Sequence, residues 1–253
     1  MSVSAIILAA GEGSRMKSDL PKPLHLVGNH SMLLHVVHSL ENVQLDTVVV
    51  VVGHRADEVM QHVRDHTPPW ANVSFATQQH QHGTGDAVTA GLTALDNNAL
   101  ATTIIVLPGD TPLLTRETIS RLVTEHEQSD HAATVLVSDI ADPTGYGRIV
   151  RTADGNVARI VEHRDASKTE LELTEINTGI YAFRADLLGP ALSKISTNNS
   201  QAEYYLTDVV AILTSADYSV GAVLAPGEET AGVNDRDQLV AAELVLVART
   251  RLD

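Results

Sequence analysis

The stretch that decides how this chain reads is "AIILAAGEGSRMKSDLPKPLHLVG", residues 5–28. A short apolar run breaks into Ala-Ala-Gly-Glu-Gly-Ser-Arg, and Lys22 then stands between two prolines. An apolar run without polar alternation suits a strand covered on both faces, as in a parallel sheet. Glycines directly after it let the backbone approach an anion and turn its N–H groups toward it. A tight turn is the other use of Gly11-Glu12-Gly13. Two specific phosphate motifs are excluded. The dinucleotide fingerprint needs a third glycine where Met16 stands, and no GxxxxGK[ST] run occurs.

Arg15 and Lys22 shift that balance toward a ligand. Pro21 and Pro23 fix their own φ, and Pro23 biases Lys22 toward an extended backbone, so the lysine is expected on a stiff support aimed at one place. The alternative is a pair of solvated surface cations, which is weaker in a chain of formal charge −15. The same charge excludes the basic footprint of non-specific nucleic-acid binding. A polyanionic ligand would have to be held by a few placed cations, helix N-termini or a metal.

Outward from the opening stretch, β-branched runs at 4–8, 47–52, 73–77, 103–107 and 132–138 alternate with helical patterns at 31–41, 55–65, 84–95 and 115–127. Thr84 and Thr115 suit N-caps. Strands alternating with helices mean βαβ units and a doubly wound sheet. Beyond about 140 the rhythm changes. "GYGRIVR", "NVARIVEHR" and "EINTGIYAFR" read as strands around the turn "TADGN", forming a smaller mixed lobe laid over the sheet. Helices are expected at 185–195, 204–216 and 235–252, with a strand near 218–224. The expected organisation is one unit over 1–233, in two halves (1–140 and 141–233), followed by a helical arm, 234–253.

The 253 residues allow one large or two modest domains, and 43% apolar with 19% charged residues is ordinary for a globular protein. The absence of cysteine excludes disulfides and thiolate metal sites and fits a reducing compartment. The N-terminal run lacks the basic region of a signal peptide, and no run approaches the roughly 18 to 20 apolar residues of a membrane span. A soluble, cytoplasmic protein is expected.

Asp110, in "LPGDTPLL", lies just past a strand end, where ligands bind in open α/β sheets. A carboxylate there suits Mg²⁺, which takes few protein oxygens; a turn or capping role is the alternative. "GTGDA" (83–87) places Gly before a helix N-terminus with free N–H donors. Glu162, Asn177, Tyr205 and Thr207 together would suit a sugar, whose hydroxyls need donors and acceptors, although each alone reads as structural. Of the twelve histidines, "HQH" (80–82) and "HSMLLHVVH" (30–38) invite a zinc site. With neither cysteine nor an HExxH pattern, zinc is set aside.

"LAAGEGSRM" with "LPKPLH" resembles the signature of sugar-1-phosphate nucleotidyltransferases. "QHGTGDA", "PGDTPLL", "DPTGYGRI", "IVEHRDAS", "EINTGIYAF", "NNSQAEYYLTD" and "GVNDRDQL" resemble, in order and over nearly the whole chain, the uridyltransferase domain of bifunctional N-acetylglucosamine-1-phosphate uridyltransferases. The resemblance implies a Rossmann-like, doubly wound, mostly parallel α/β fold with a smaller mixed β lobe for the sugar. The implied reaction joins UTP and N-acetylglucosamine 1-phosphate into UDP-N-acetylglucosamine and pyrophosphate with Mg²⁺. Matched motif by motif, Leu8, Ala9, Ala10, Gly11, Gly109 and Asp110 would contact the nucleotide, and Gln78, Gly83 and Thr84 the uracil. Gly147, Glu162, Asn177 and Thr207 would hold the sugar, joined by Tyr205. Asp110 and Asn234 would bind Mg²⁺, and Arg15 and Lys22 would be catalytic.

Two departures stand out: Pro23 gives "PKPLH" where this family commonly has "PKVLH", and Pro108 replaces an aromatic or small polar residue. The hexapeptide repeats that follow in the bifunctional family are absent, so a monomer or weak oligomer is expected. The competing readings are a nucleotidyltransferase of other base or sugar specificity and a non-catalytic nucleotide-sugar sensor.

Overall fold

A computed structural model describes residues 2–95 and 101–250; positions 251 and 252 of the expected terminal helix lie outside the described residues. From the N-terminus the elements are β1 (Val3–Ala9), the hairpin β2 (Leu26–Val27) and β3 (His30–Ser31), α1 (Met32–Ser39), β4 (Leu45–Val52), α2 (Ala56–His66), β5 (Val73–Thr77), α3 (Thr84–Ala94), β6 (Thr103–Pro108) and α4 (Arg116–Gln128). They continue as β7 (Ala133–Asp139), β8 (Arg148–Arg151), β9 (Val157–Val161), β10 (Glu175–Arg184), α5 (Ala185–Leu192), α6 (Asp208–Ser215), β11 (Val220–Leu224), α7 (Gly227–Thr230) and α8 (Arg236–Thr250).

The central sheet runs β11-β7-β10-β6-β1-β4-β5. All of its neighbours are parallel except β10, which is antiparallel to β6 and β7. The unbroken valine run of β4 follows from this topology. Val49 and Val51, with Ile6 and Val106, face α3, α5 and α6, while Val48 and Val50, with Ile7 and Ile105, face α1, α2 and α4. With both faces covered, alternation has no work to do, and β-branched side chains fit the pleat.

Three expectations change. "EINTGIYAFR" is β10, drawn into the central sheet, while β8 and β9 form a hairpin around "TADGN" that branches from it, with β8 paired to β10 at Arg148 and Ile176. The register of β10 slips between Asn177 and Tyr181, with Gly179 at φ +79°. Such a bulge re-aims the side chains beside it, and Asn177 here accepts the Gly179 N–H on Oδ1 at 3.1 Å. Second, α6 begins at Asp208 rather than near 204. The Tyr204 N–H is given to His82 O at 2.7 Å and the Leu206 N–H to Thr84 Oγ1 at 3.0 Å, so 204–206 are tied to the segment that opens α3 ahead of the first helical turn. Third, that bond removes Thr84 from capping: Gly83 is the N-cap of α3, whereas Thr115 caps α4 by accepting the Thr118 N–H.

α8 closes the molecule over the β2–β3 hairpin, burying Ala242 with Leu239, Val245 and Leu246 against Val27, Met32, Leu113 and Val233. No helix among the described residues is long and apolar enough to cross a membrane.

Candidate active site

The loop after β1 is shaped by one close approach. Gly13 has φ +65°, and a Cβ there would lie 2.4 Å from Lys22 Cβ, so only glycine lets the lysine stem cross the loop. Ser14–Met16 then make a 3₁₀ turn. Lys22 is not extended as Pro23 suggested: it opens a second 3₁₀ turn, Lys22–Leu24. The Leu24 N–H to Pro21 O and His25 N–H to Lys22 O bonds, with burial of Pro23 and Leu24, outweigh the steric bias before proline.

At its tip Lys22 Nζ pairs with the Asp110 carboxylate and donates to Asn234 Oδ1 at 2.8 Å. Arg15 donates to the same Asn234 oxygen at 2.9 Å. Asp110 follows β6, and its carbonyl accepts the Val233 N–H at 2.9 Å, which brings Asn234 to the carboxylate. Four residues from three distant stretches thus form one cluster of cations and oxygens at the carboxyl ends of parallel strands. Tyr146, unmarked in "TGYGRI", stands beside it: burial raises its phenol, which hydrogen-bonds the Gly232 backbone and senses Asp110.

Next to this cluster opens a cavity of about 360 Å³. Leu8, Ala9, Ala10, Gly11, Gln78, Gly83, Thr84, Gly109 and Asp110, all expected at the nucleotide, line it, as does Lys22. Sequence reasoning missed Gln81, whose amide donates to Ala10 O at 2.8 Å, and Glu203, both in the same wall. Pro23 and Pro108, noted in the sequence only as departures, also line it. Gln81 lies within the "QHGTGDA" motif and Glu203 within "NNSQAEYYLTD", so both motifs carried a usable signal.

The residues expected at the sugar form a second group outside that lining. Thr207 donates to Glu162 Oε1 at 3.1 Å, the Asn177 N–H is given to Gly147 O at 2.9 Å, and a Cβ on Gly147 would lie 3.6 Å from Glu162 Oε2. Burial pushes the Glu162 carboxyl up; Thr207 partly offsets this, and Asp165, Asp208 and Glu203 reinforce it. Tyr205 is buried beside them, but its hydroxyl is engaged elsewhere, donating to Asp165 at 3.3 Å and accepting from Gln201 at 2.7 Å.

The histidine motifs take up other contacts. His35 binds Val27 O at 2.7 Å, and the rings of His30, His35 and His38 pack at 5.3–5.7 Å. Among the described residues no group of three or more His, Asp or Glu is arranged to hold a metal.

A glycine loop and a cation cluster at the strand ends of a parallel sheet are an arrangement suited to binding phosphates in an α/β fold. A model of the family described as nucleotidyl transferase matches residues 4–230, and the chain belongs to that family. It is 46% identical over 98% of its length to the bifunctional protein GlmU of Clostridium beijerinckii, 48% over 97% to that of Halalkalibacterium halodurans and 45% over 98% to that of Corynebacterium efficiens. The matched regions are 53%, 52% and 51% of those proteins, so the chain spans about half the length of the curated relatives it matches. A putative glucose-1-phosphate thymidylyltransferase of Bacillus anthracis superposes with a TM-score of 0.74 over 96% of this chain and 94% of that one. At 18% identity that likeness shows the fold alone.

Proposed function

We propose that the chain transfers UMP from UTP to N-acetylglucosamine 1-phosphate, giving UDP-N-acetylglucosamine and pyrophosphate. The observation that carries this is the convergence of Arg15, Lys22, Asp110 and Asn234 beside the cavity. An oxygen of the sugar phosphate attacks the α-phosphorus in line. The bond from that phosphorus to the bridging oxygen breaks, and pyrophosphate leaves with the electron pair. The nucleophile is already an anion, so no strong base is required. Catalysis reduces to positioning and charge neutralisation.

The oxygens of Asp110 and Asn234 converge on one cation, the Lys22 ammonium, which marks a position of hard oxygen donors where Mg²⁺ fits. When bound there, Mg²⁺ would neutralise phosphate charge and polarise the phosphoryl group. Lys22 and Arg15 would then face the triphosphate and offset charge on the leaving group. Leu8 to Gly11, with Gly109, bring main chain to the nucleotide, and Gln78, Gly83 and Thr84 meet the base. Gly147, Glu162, Asn177 and Thr207 supply acceptors and donors to the N-acetylated sugar, with Tyr205 held against Asp165 behind them. The partners are small molecules, and the setting is the cytoplasm.

The test is product identification by mass spectrometry from a matrix of UTP, CTP, GTP and dTTP against N-acetylglucosamine 1-phosphate and glucose 1-phosphate, with Mg²⁺. UDP-N-acetylglucosamine as the dominant product is expected. A different dominant pair would move the specificity, and ligand binding without any product would leave a sensor.

A further inference from the structure

Gln78 stands one residue beyond β5, its main-chain N–H given to Val52 O at 2.8 Å, and its side chain is buried in the cavity wall. A side-chain amide has two hydrogens and one acceptor oxygen to place. Here Nε2 donates to Gly83 O at 3.1 Å and to Asp86 Oδ2 at 2.7 Å. Both partners can only accept, so the amide cannot be turned over: turned over, it would set oxygen against two oxygens. Both hydrogens are committed, and Oε1 is the group left for the cavity. The bond to the carboxylate is the shorter one and is charge-assisted, which makes it the stronger constraint. Asp86 itself lies in the first turn of α3, where the helix dipole favours a negative side chain.

We infer that Asp86 is a positioning residue that sets pyrimidine specificity: by holding Gln78 Nε2, it presents Oε1 as an acceptor and selects a base edge that carries an N3–H. This rests on the uridine nucleotide reading above. Uracil offers N3–H between two carbonyls, whereas cytosine sets a lone pair at N3, and two facing acceptors repel. Among the first N–H groups of α3, that of Gly85 is given to Tyr204 O at 2.8 Å, and that of Thr84, at the first helical position, is the matching donor for an adjacent base carbonyl. Thymine shares the N3–H edge, so this device separates uracil and thymine from cytosine and does not sense the 5-methyl group. Without Asp86 the amide keeps only the Gly83 bond and turns more freely, offering either end to the base.

The experiment is calorimetric binding of UTP and CTP, without sugar phosphate, to the wild-type chain and to Asp86→Ala and Asp86→Asn. Thermal midpoints verify that each is folded. One oriented hydrogen bond to a base corresponds to about tenfold in affinity. The UTP-over-CTP ratio is therefore expected to fall by that factor in Asp86→Ala, chiefly through tighter CTP and weaker UTP binding. Asp86→Asn keeps an oxygen toward Nε2 and retains most of the preference, which a purely structural role would not require. A ratio unchanged in a folded Asp86→Ala overturns the inference while leaving the uridine reading intact. A wild-type chain that binds UTP and CTP equally would instead overturn the uridine reading and the inference with it.

Discussion

An added carbon at position 13 would meet Lys22 Cβ at 2.4 Å in a backbone of positive φ. Gly13→Ala is therefore expected to cost about 1–2 kcal/mol of stability and to displace the lysine. Lys22→Ala, which in the proposed mechanism removes a cation facing developing charge, should lower kcat/KM by roughly 10²–10³-fold. Gly13→Ala should approach that loss without touching the lysine's chemistry. Gly11 is the control: nothing lies within 4 Å of its added carbon, so Gly11→Ala should melt near the wild-type temperature. Glu162 carries an opposite signature. Its carboxyl is held above its ordinary value by burial, which disfavours the charged form in the folded protein relative to the unfolded one. That contribution is complete at acid pH below the unfolded value and is lost as pH rises through the folded one. Glu162→Gln should therefore raise the thermal midpoint at neutral pH, with the gain vanishing toward acid. In the same variant the KM for the sugar phosphate should rise by roughly tenfold, as one of the two carboxyl oxygens beside Thr207 becomes an amide nitrogen and an acceptor is lost. Equal midpoints at neutral pH would contradict the burial argument.

At the scale of elements, the seam between α4 and β7 holds His126, buried and bonded through Nδ1 to Thr134 Oγ1 at 2.9 Å. Burial lowers its pKa from 6.5 to about 4. The unfolded chain therefore binds a proton in a range where the folded one does not. The stabilisation is fully present above 6.5 and is lost as pH falls to about 4, on the order of 3 kcal/mol in all. His126→Gln should flatten that acid limb in denaturant titrations from pH 7 to 4; an unchanged slope would contradict it. This seam was invisible in the sequence, where His126 is one histidine in an amphipathic helix. The strands were legible for the opposite reason: Val48 to Val52 bury on both faces, and an unbroken β-branched run has few other uses. Pairing was not legible. "EINTGIYAFR" shows that β10 is a strand but carries nothing that says it inserts between β6 and β7. Lys22 and Thr84 misled for a common reason, since each local preference was overridden by hydrogen bonds and packing from elsewhere. The family resemblance put Asn234 in one site with Arg15, Lys22 and Asp110, but the places of Tyr146 beside Asp110 and of Glu203 in the cavity wall depend on neighbours distant in sequence, and that of Asp86 on the turn that brings Gln78 back to it.

For the whole molecule, β10 and β11 belong to the same sheet as β1 and β4 to β7, so the halves 1–140 and 141–233 share one hydrogen-bonded ladder. Unfolding in urea should then be a single transition, with the fluorescence of Trp70, near the β5 edge, and far-UV circular dichroism coinciding. Separated midpoints would mean that the halves melt independently. The formal charge of −15 sets the larger problem the molecule solves. In the proposed reaction a triphosphate and a sugar phosphate must be brought together on an anionic protein, with Arg15 and Lys22, and a cation held by the oxygens of Asp110 and Asn234, offsetting the charge at one place. The most direct measurement of that claim is pyrophosphate release from UTP and N-acetylglucosamine 1-phosphate with Mg²⁺, comparing the wild-type chain with Asp110→Ala. Release by the wild type and a loss of at least roughly 10²-fold in the folded variant are predicted. A folded wild type that releases nothing, or an Asp110→Ala variant as fast as the wild type, would contradict the account.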